Sequence, residues 1–140
     1  MPGAPVEVVQ RVPLFADLNK RELGQVARLF KERRFADGET VAKEGAGGAA
    51  FFLIDSGEAT VTLGGKPRAT LTQGDYFGEI ALIDGGARSA TVTAASELVC
   101  WGLTYWDFRP LVQENSKICW KLLQAMAKRL REAEHREPES

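Results

Sequence analysis

Hydrophobic positions follow a helical period at both ends of the chain and an alternating period between them. The stretch Leu18-Asn19-Lys20-Arg21-Glu22-Leu23 has the marks of a helix start. Asn19 is placed to cap, Glu22 three residues on completes a capping-box pair, and Leu18 with Leu23 makes a hydrophobic staple. Leu23, Val26, Ala27 and Phe30 then recur on one face, which predicts a helix over about 19–31 whose apolar stripe lies against a sheet. Lys20, Arg21 and Arg28 fall on the wet side, and the helix carries no chemistry.

From Arg33 the period becomes two, in short runs broken at Asp37-Gly38, Gly45 to Gly48, Ser56-Gly57, Gly64-Gly65 and Gly74-Asp75. Ala59, Val61 and Leu63 alternate with Thr60 and Thr62, and Ala90, Val92 and Ala94 with Thr91 and Thr93, so each strand has one core face. Gly64-Gly65 suits a tight hairpin. Many short strands with glycine turns predict a sandwich, a jelly roll or a closed barrel of about eight strands. After Leu103 the helical period returns, over Trp106 to Val112 and again from Asn115-Ser116 to a point before Pro138. In that last stretch Ile118, Leu122, Met126, Leu130 and Ala133 form an apolar stripe, with Lys117, Lys121, Lys128 and Arg131 outward. Such a stripe either packs on its own domain or pairs with a twin as a homodimer seam.

Composition narrows the function. The 140 residues are 44% hydrophobic and 26% charged, ordinary for a single globular domain. With 18 basic against 19 acidic residues the net charge is −1, so no basic field draws nucleic acid. Cys100 and Cys119 are distant and belong to no C-x-x-C pair, which fits a reducing compartment and packing rather than reactivity. The N-terminus has no signal-like pattern and no apolar run reaches membrane-spanning length, so a cytoplasmic protein is expected. The glycine-rich Lys43 to Gly48 lacks a Gly-Lys-Ser/Thr ending and reads as a loop. Trp101 and Trp106 are expected in the core, with Trp120 open. Lys128, Arg129 and Arg131 precede Glu132, Glu134 and Glu137 and read as a solvated face.

Candidate chemistry concentrates in Phe77-Gly78-Glu79-Ile80-Ala81-Leu82-Ile83, then Asp84-Gly85-Gly86-Ala87, then Arg88-Ser89-Ala90. Gly78 permits close backbone approach, and Glu79 to Ile83 is long enough for one helical turn whose free N–H groups face an anion. Arg88 offers a planar fork that meets the charge of a phosphodiester. Glu79 beside an anion makes sense if its carboxylate accepts from a sugar hydroxyl. Together these suggest a ribose phosphate, with Val61 and Leu71 walling a base. A purely structural alternative stands beside it: Gly78 as a turn, Glu79 and Arg88 as an ion pair, and Ser89 as a strand residue. No enzyme is expected, because the single histidine, His135, lies near the end, no metal-ligand cluster exists and no nucleophile neighbours a base.

Phe77 to Ile83 followed by Ala87-Arg88-Ser89-Ala90 closely resembles the phosphate-binding cassette of cyclic-nucleotide-binding domains. The resemblance runs from Pro13-Leu14-Phe15 through Asp37-Gly38-Glu39, Glu44-Gly45 and Ser56-Gly57-Glu58 to the closing helix. It implies a mainly β fold with flanking helices: a double-stranded β-helix (jelly-roll) barrel over about 31–104 and C-terminal helices over about 105–136, in one domain spanning 1–140. In the family the residue matching Glu79 holds the ribose 2′-hydroxyl and that matching Arg88 holds the cyclic phosphate. Positions matching Gly78, Ile80, Ala81, Ser89 and Ala90 line the cradle, and Phe77 and Leu82 complete the expected site. Leu111 to Leu130 resembles the dimerisation helix of the catabolite activator protein branch. That branch offers Thr-Ser to adenine where this chain has Ala133 and Glu134, and continues into a helix-turn-helix that does not follow here.

The implied function is a stand-alone receptor for cyclic AMP that signals by re-seating its last helix, toward an unidentified protein partner or a dimer mate. No DNA, membrane, metal or cofactor is expected. In the family a threonine beside the cassette arginine often accompanies cyclic GMP; Ser89 leans slightly toward adenine and leaves cyclic GMP possible as ligand. The competing readings are an interaction module of the same fold without a physiological nucleotide, and a cupin-type enzyme, which needs several histidines inside the barrel.

Overall fold

One run of the sequence is apolar on both faces, and the architecture is built around it. The computed structural model describes residues 3–47 and 50–136. In chain order it holds α1 (Val6–Gln10), a 3-10 turn (Pro13–Phe15), α2 (Lys20–Ala27), β1 (Lys31–Phe35), β2 (Thr40–Ala42), β3 (Ala50–Ser56), β4 (Ala59–Leu63), β5 (Lys66–Leu71) and β6 (Tyr76–Phe77). Then come α3 (Glu79–Asp84), β7 (Thr91–Ala94), β8 (Leu98–Thr104), α4 (Tyr105–Glu114) and α5 (Ser116–Arg136). Ala50 to Ile54 of β3 is the doubly buried run. Phe51 and Leu53 face a core shared with the helices, while Ala50, Phe52 and Ile54 face the interior between two sheets.

The strands form two four-stranded sheets, ordered β1-β8-β3-β6 and β2-β7-β4-β5, with every pair antiparallel. This is a jelly-roll sandwich of eight strands. A closed barrel does not form: among the described residues no strand pair joins the two sheets. The edges are too short to bridge, since β6 has two residues and β2 three. Gly64 and Gly65 turn the β4–β5 hairpin with φ of +60° and +80°, values that L side chains avoid. The core face of β4 fades toward that turn, from fully buried Ala59 through half-buried Val61 to exposed Leu63.

At α2 the expected capping box is present: Asn19 Oδ1 accepts from the Glu22 N–H at 2.9 Å and Glu22 Oε1 from the Asn19 N–H at 2.8 Å. The helix is shorter than expected. It stops at Ala27, and Phe30 reaches the core from the turn that leads into β1. Two further helical segments, α1 and the 3-10 turn, went unpredicted; Val9 is buried in α1, which packs on α2 and the 3-10 turn, while Leu14 and Phe15 are buried in that turn, which packs on α5, and Phe15 meets Phe51 of β3 edge-on.

The C-terminal stripe departs from expectation. Ile118, Leu122 and Ala125 pack, but Leu130 is 64% exposed and Ala133 is exposed too. Residues four apart drift about 40° per step around a helix, so the Ile118-Leu122-Met126-Leu130 series rotates off the packed face. Lys121, expected outward, turns in, and its Nζ donates to Glu22 Oε1 at 2.7 Å. Trp106, expected in the core, is 69% exposed, because α4 is capped by Thr104 Oγ1 on the Asp107 N–H and buries Phe108 instead. Trp101 is half-buried, with its indole nitrogen unpartnered. Burial pushes the Cys100 thiol up to about 12, which keeps it inert. Pro138 and Glu137 lie outside the described residues, as does Gly48 of the glycine-rich loop. No described helix is long and apolar enough to cross a membrane.

Candidate functional site

Between β6 and β7 the chain folds as a short helix held by glycines at both ends. Gly78 N-caps α3 at φ +89° and Gly85 ends it at φ +69°. Gly78 is required for space as well as conformation: a Cβ there would run into the Ala50 carbonyl oxygen and stand 2.7 Å from Arg88 Nη1. The Leu82 N–H is the first to find a helical acceptor, the Gly78 carbonyl at 3.1 Å, which leaves the N–H groups of Glu79, Ile80 and Ala81 at the open end. After Gly85, Asp84 Oδ1 accepts from the Gly86 N–H at 2.7 Å and closes the turn. The backbone of Arg88 is pinned on both sides: its N–H donates to the Ala46 carbonyl at 3.0 Å and its carbonyl accepts from Gly45 at 2.8 Å.

These elements enclose a cavity of about 380 Å³, a size suited to a small ligand. Val61, Phe77, Gly78, Glu79, Ile80, Ala81, Arg88, Ser89 and Ala90 all line it. Two expected residues do not. Leu82 is 1% exposed and packs in the helical core, because it sits on the inward side of α3. Leu71 is half-buried at the margin of the inter-sheet core, at the far end of β5. Tyr76, Asp84, Ala87, Ala42 and Val92 line the cavity unpredicted. Ala42 belongs to β2, distant in sequence from the motif, so no local signal marks it, whereas Val92 follows Ala90 by two residues on the inward face of β7 and continues the lining.

Arg88 is 8% exposed, and among the described residues no carboxylate lies within ion-pairing distance of it. Burial lowers its pKa, the mark of a desolvated cation. The structural alternative of a Glu79–Arg88 ion pair is not what forms. Glu79 instead meets Arg129 of α5, with Nη1 2.6 Å from Oε2, a contact ion pair whose angles fall outside hydrogen-bond geometry. Burial raises the Glu79 carboxyl, and Arg129 opposes the rise. Tyr76 beside it is raised too, first by burial and then by Glu79. Arg129 was read as part of a solvated face; its place seven residues after Leu122, on the packed side, was the available signal. Ala133 and Glu134 are exposed.

Residues 32–115 match the family model described as cyclic nucleotide-binding domain. The chain belongs to that family. A cyclic nucleotide-binding domain is a regulatory ligand-binding unit, and the cavity lies in the part of the fold that carries the cassette. A cAMP-dependent protein kinase regulatory subunit of Yarrowia lipolytica is 44% identical over 92 residues, 64% of this chain and 24% of that protein. The chain spans about a fifth to a quarter of the length of the first curated relatives it matches. Among solved structures, the N-terminal domain of a transcriptional regulator from Streptomyces coelicolor A3(2) superposes with a TM-score of 0.83 at 28% identity, covering 95% of this chain and 96% of that one. The Thermus thermophilus catabolite activator protein superposes at 0.68 with 32% identity, over 87% and 60%.

Proposed function

We propose that this domain is a cyclic AMP receptor that reports occupancy through α5. Arg88 carries the reading: a nearly buried guanidinium without an acidic partner among the described residues, facing a ligand-sized cavity. A cyclic phosphate on Arg88 and the open N–H groups of α3 supplies the missing anion. Glu79 then accepts from the ribose 2′-hydroxyl, and Val61 takes one face of the base. Cyclic AMP is favoured over cyclic GMP because the Yarrowia lipolytica relative, 44% identical, is named as cAMP-dependent, against 36% for a cGMP-dependent protein kinase of Plasmodium berghei.

Coupling follows from the position of Glu79. Its carboxylate holds Arg129, so a ligand hydroxyl at the same oxygens competes with the contact that ties the distal half of α5 to the cassette. The proximal half has its own tie, Lys121 to Glu22, which the ligand does not reach. Binding therefore shifts the population of the segment beyond Ala125 while Ile118 and Leu122 stay seated. Titration calorimetry with cyclic AMP, cyclic GMP and their 2′-deoxy forms tests the ligand. Hydrogen exchange tests the coupling, with a ligand-dependent change expected after Ala125; identical protection in free and bound protein would refute it.

The outward side of α5 favours a second copy as the receiver of that motion. Trp120, Leu123 and Leu130 are exposed, and with Ala127 they repeat at intervals of three, four and three residues, the spacing of a coiled-coil seam. A Leu123→Asp, Leu130→Asp double variant should be monomeric by light scattering while keeping nucleotide affinity. A wild-type protein monomeric at high micromolar concentration would exclude this pairing.

A further inference from the structure

Arg88 is held away from water with no carboxylate among the described residues to set its direction, yet a phosphate site needs its N–H groups aimed. What lies against it is an aromatic ring. The guanidinium carbon stands 5.8 Å from the Phe52 ring centroid, and Nη1 uses the space left by the missing Cβ of Gly78. Phe52 is itself 3% exposed and closely confined. It stacks on Phe77 at 5.3 Å with 30° between planes, meets Phe35 edge-on at 6.0 Å, and faces Gly102 across the β3–β8 pair. A Cβ at Gly102 would stand only 3.1 Å from the Phe52 ring, so that glycine makes room for it. One rigid ring thus touches both ends of the cassette: Phe77, which precedes Gly78, and Arg88.

We propose that Phe52 is a positioning residue for anion binding, and that its π face, rather than its bulk alone, aims the Arg88 guanidinium into the cavity. The proposal rests on the reading of Arg88 as the phosphate contact. A carboxylate would orient the arginine equally well, but it would neutralise the charge and compete with the ligand for the same N–H groups. A ring face attracts the cation, offsets part of its desolvation and leaves its N–H donors free. Arg33, whose guanidinium carbon is 6.0 Å from the same centroid, lies on the exposed edge strand and adds charge without contributing to the cassette.

The test replaces Phe52 by mono-, di- and trifluorophenylalanine through site-specific incorporation, which weakens the ring's electrostatic attraction stepwise at nearly constant size. Dissociation constants for cyclic AMP should rise stepwise with fluorine count, by about tenfold at the third fluorine, where a desolvated cation–π contact is largely cancelled. The same slope should persist in Arg33→Gln, which isolates Arg88 as the cation. Urea denaturation of each variant establishes that the fold is retained. Constants that stay flat across a folded series overturn the role of the π face while leaving the receptor assignment intact. A slope that disappears in Arg33→Gln overturns it as well, by assigning the effect to the other guanidinium. A wild-type protein that shows no heat with cyclic AMP overturns the receptor assignment instead, and the positioning role with it.

Discussion

Replacing Gly78 by alanine separates the two demands that the cassette places on this residue. At φ +89° an L side chain costs roughly 1–2 kcal/mol in any surroundings. Here the added Cβ also meets the Ala50 carbonyl oxygen and Arg88 Nη1. Ala50 is registered against Thr104 in the β3–β8 pair, so it yields only by giving up ladder geometry, and overpacking of this kind costs about 1–3 kcal/mol more. The expected loss is therefore about 2–5 kcal/mol, a large share of the roughly 5–15 kcal/mol typical of a domain. Gly74 is the internal control, since it has φ +90° and open space where its Cβ would go. Gly74→Ala should lose the conformational part alone. Urea denaturation measures both, and calorimetry under conditions where Gly78→Ala remains folded should show cyclic AMP affinity reduced at least tenfold by displacement of Arg88. Equal denaturation midpoints for the two variants would show that the clash is absent and the close approach of Arg88 to Gly78 misplaced.

Further outcomes follow from individual contacts. Arg88→Ala should weaken nucleotide binding by about 2–5 kcal/mol, the range for truncating one partner of a buried charge pair, and near-native affinity would remove Arg88 from the site. Glu79→Ala should erase the preference for cyclic AMP over its 2′-deoxy analogue; a preference that survives assigns the ribose to another residue. Glu22 is held below the usual carboxylate range, first by Lys121 and then by the Asn19 N–H. Its stabilisation is present above the unfolded carboxylate range and is lost as pH falls through the depressed value. Glu22→Gln should thus cost about 1.5–3 kcal/mol at neutral pH and flatten the acid limb of a stability profile; an unchanged acid limb would contradict the pairing.

The local features were legible because short-range geometry specifies them. The Asn19-to-Glu22 box needs only residues three apart, the Gly64-Gly65 hairpin only a pair that tolerates positive φ, and the Gly78-to-Ala90 cassette only one contiguous segment. Leu82 is expected at the cavity from its place in the motif and Leu71 as a barrel-facing wall for the base, whereas the side of a helix or strand that faces a cavity is set by what packs on the other side. Trp106 misled for the same reason: its size argues for burial, but the capped start of α4 commits Phe108 to the core.

The sequence by itself determined most of the strands and helices, the family and one contiguous candidate site segment, since period, turn chemistry and motif are all read over a few residues. Tertiary structure alone decided the partners of the charged groups. Glu79 and Arg129 are fifty residues apart, and Glu22 and Lys121 ninety-nine. Both pairings exist only because α5 lies across the domain in one rotation, set by Ile118, Leu122 and Ala125. The setting of Arg88 is likewise a property of three-dimensional packing. Its lack of an acidic partner among the described residues, its aromatic support in Phe52 and the strand walls of the cavity before it depend on β2, β3 and β4, which no local pattern links to the cassette, so the sequence located the candidate segment and the fold alone supplied the Glu79–Arg129 contact by which that segment meets the last helix.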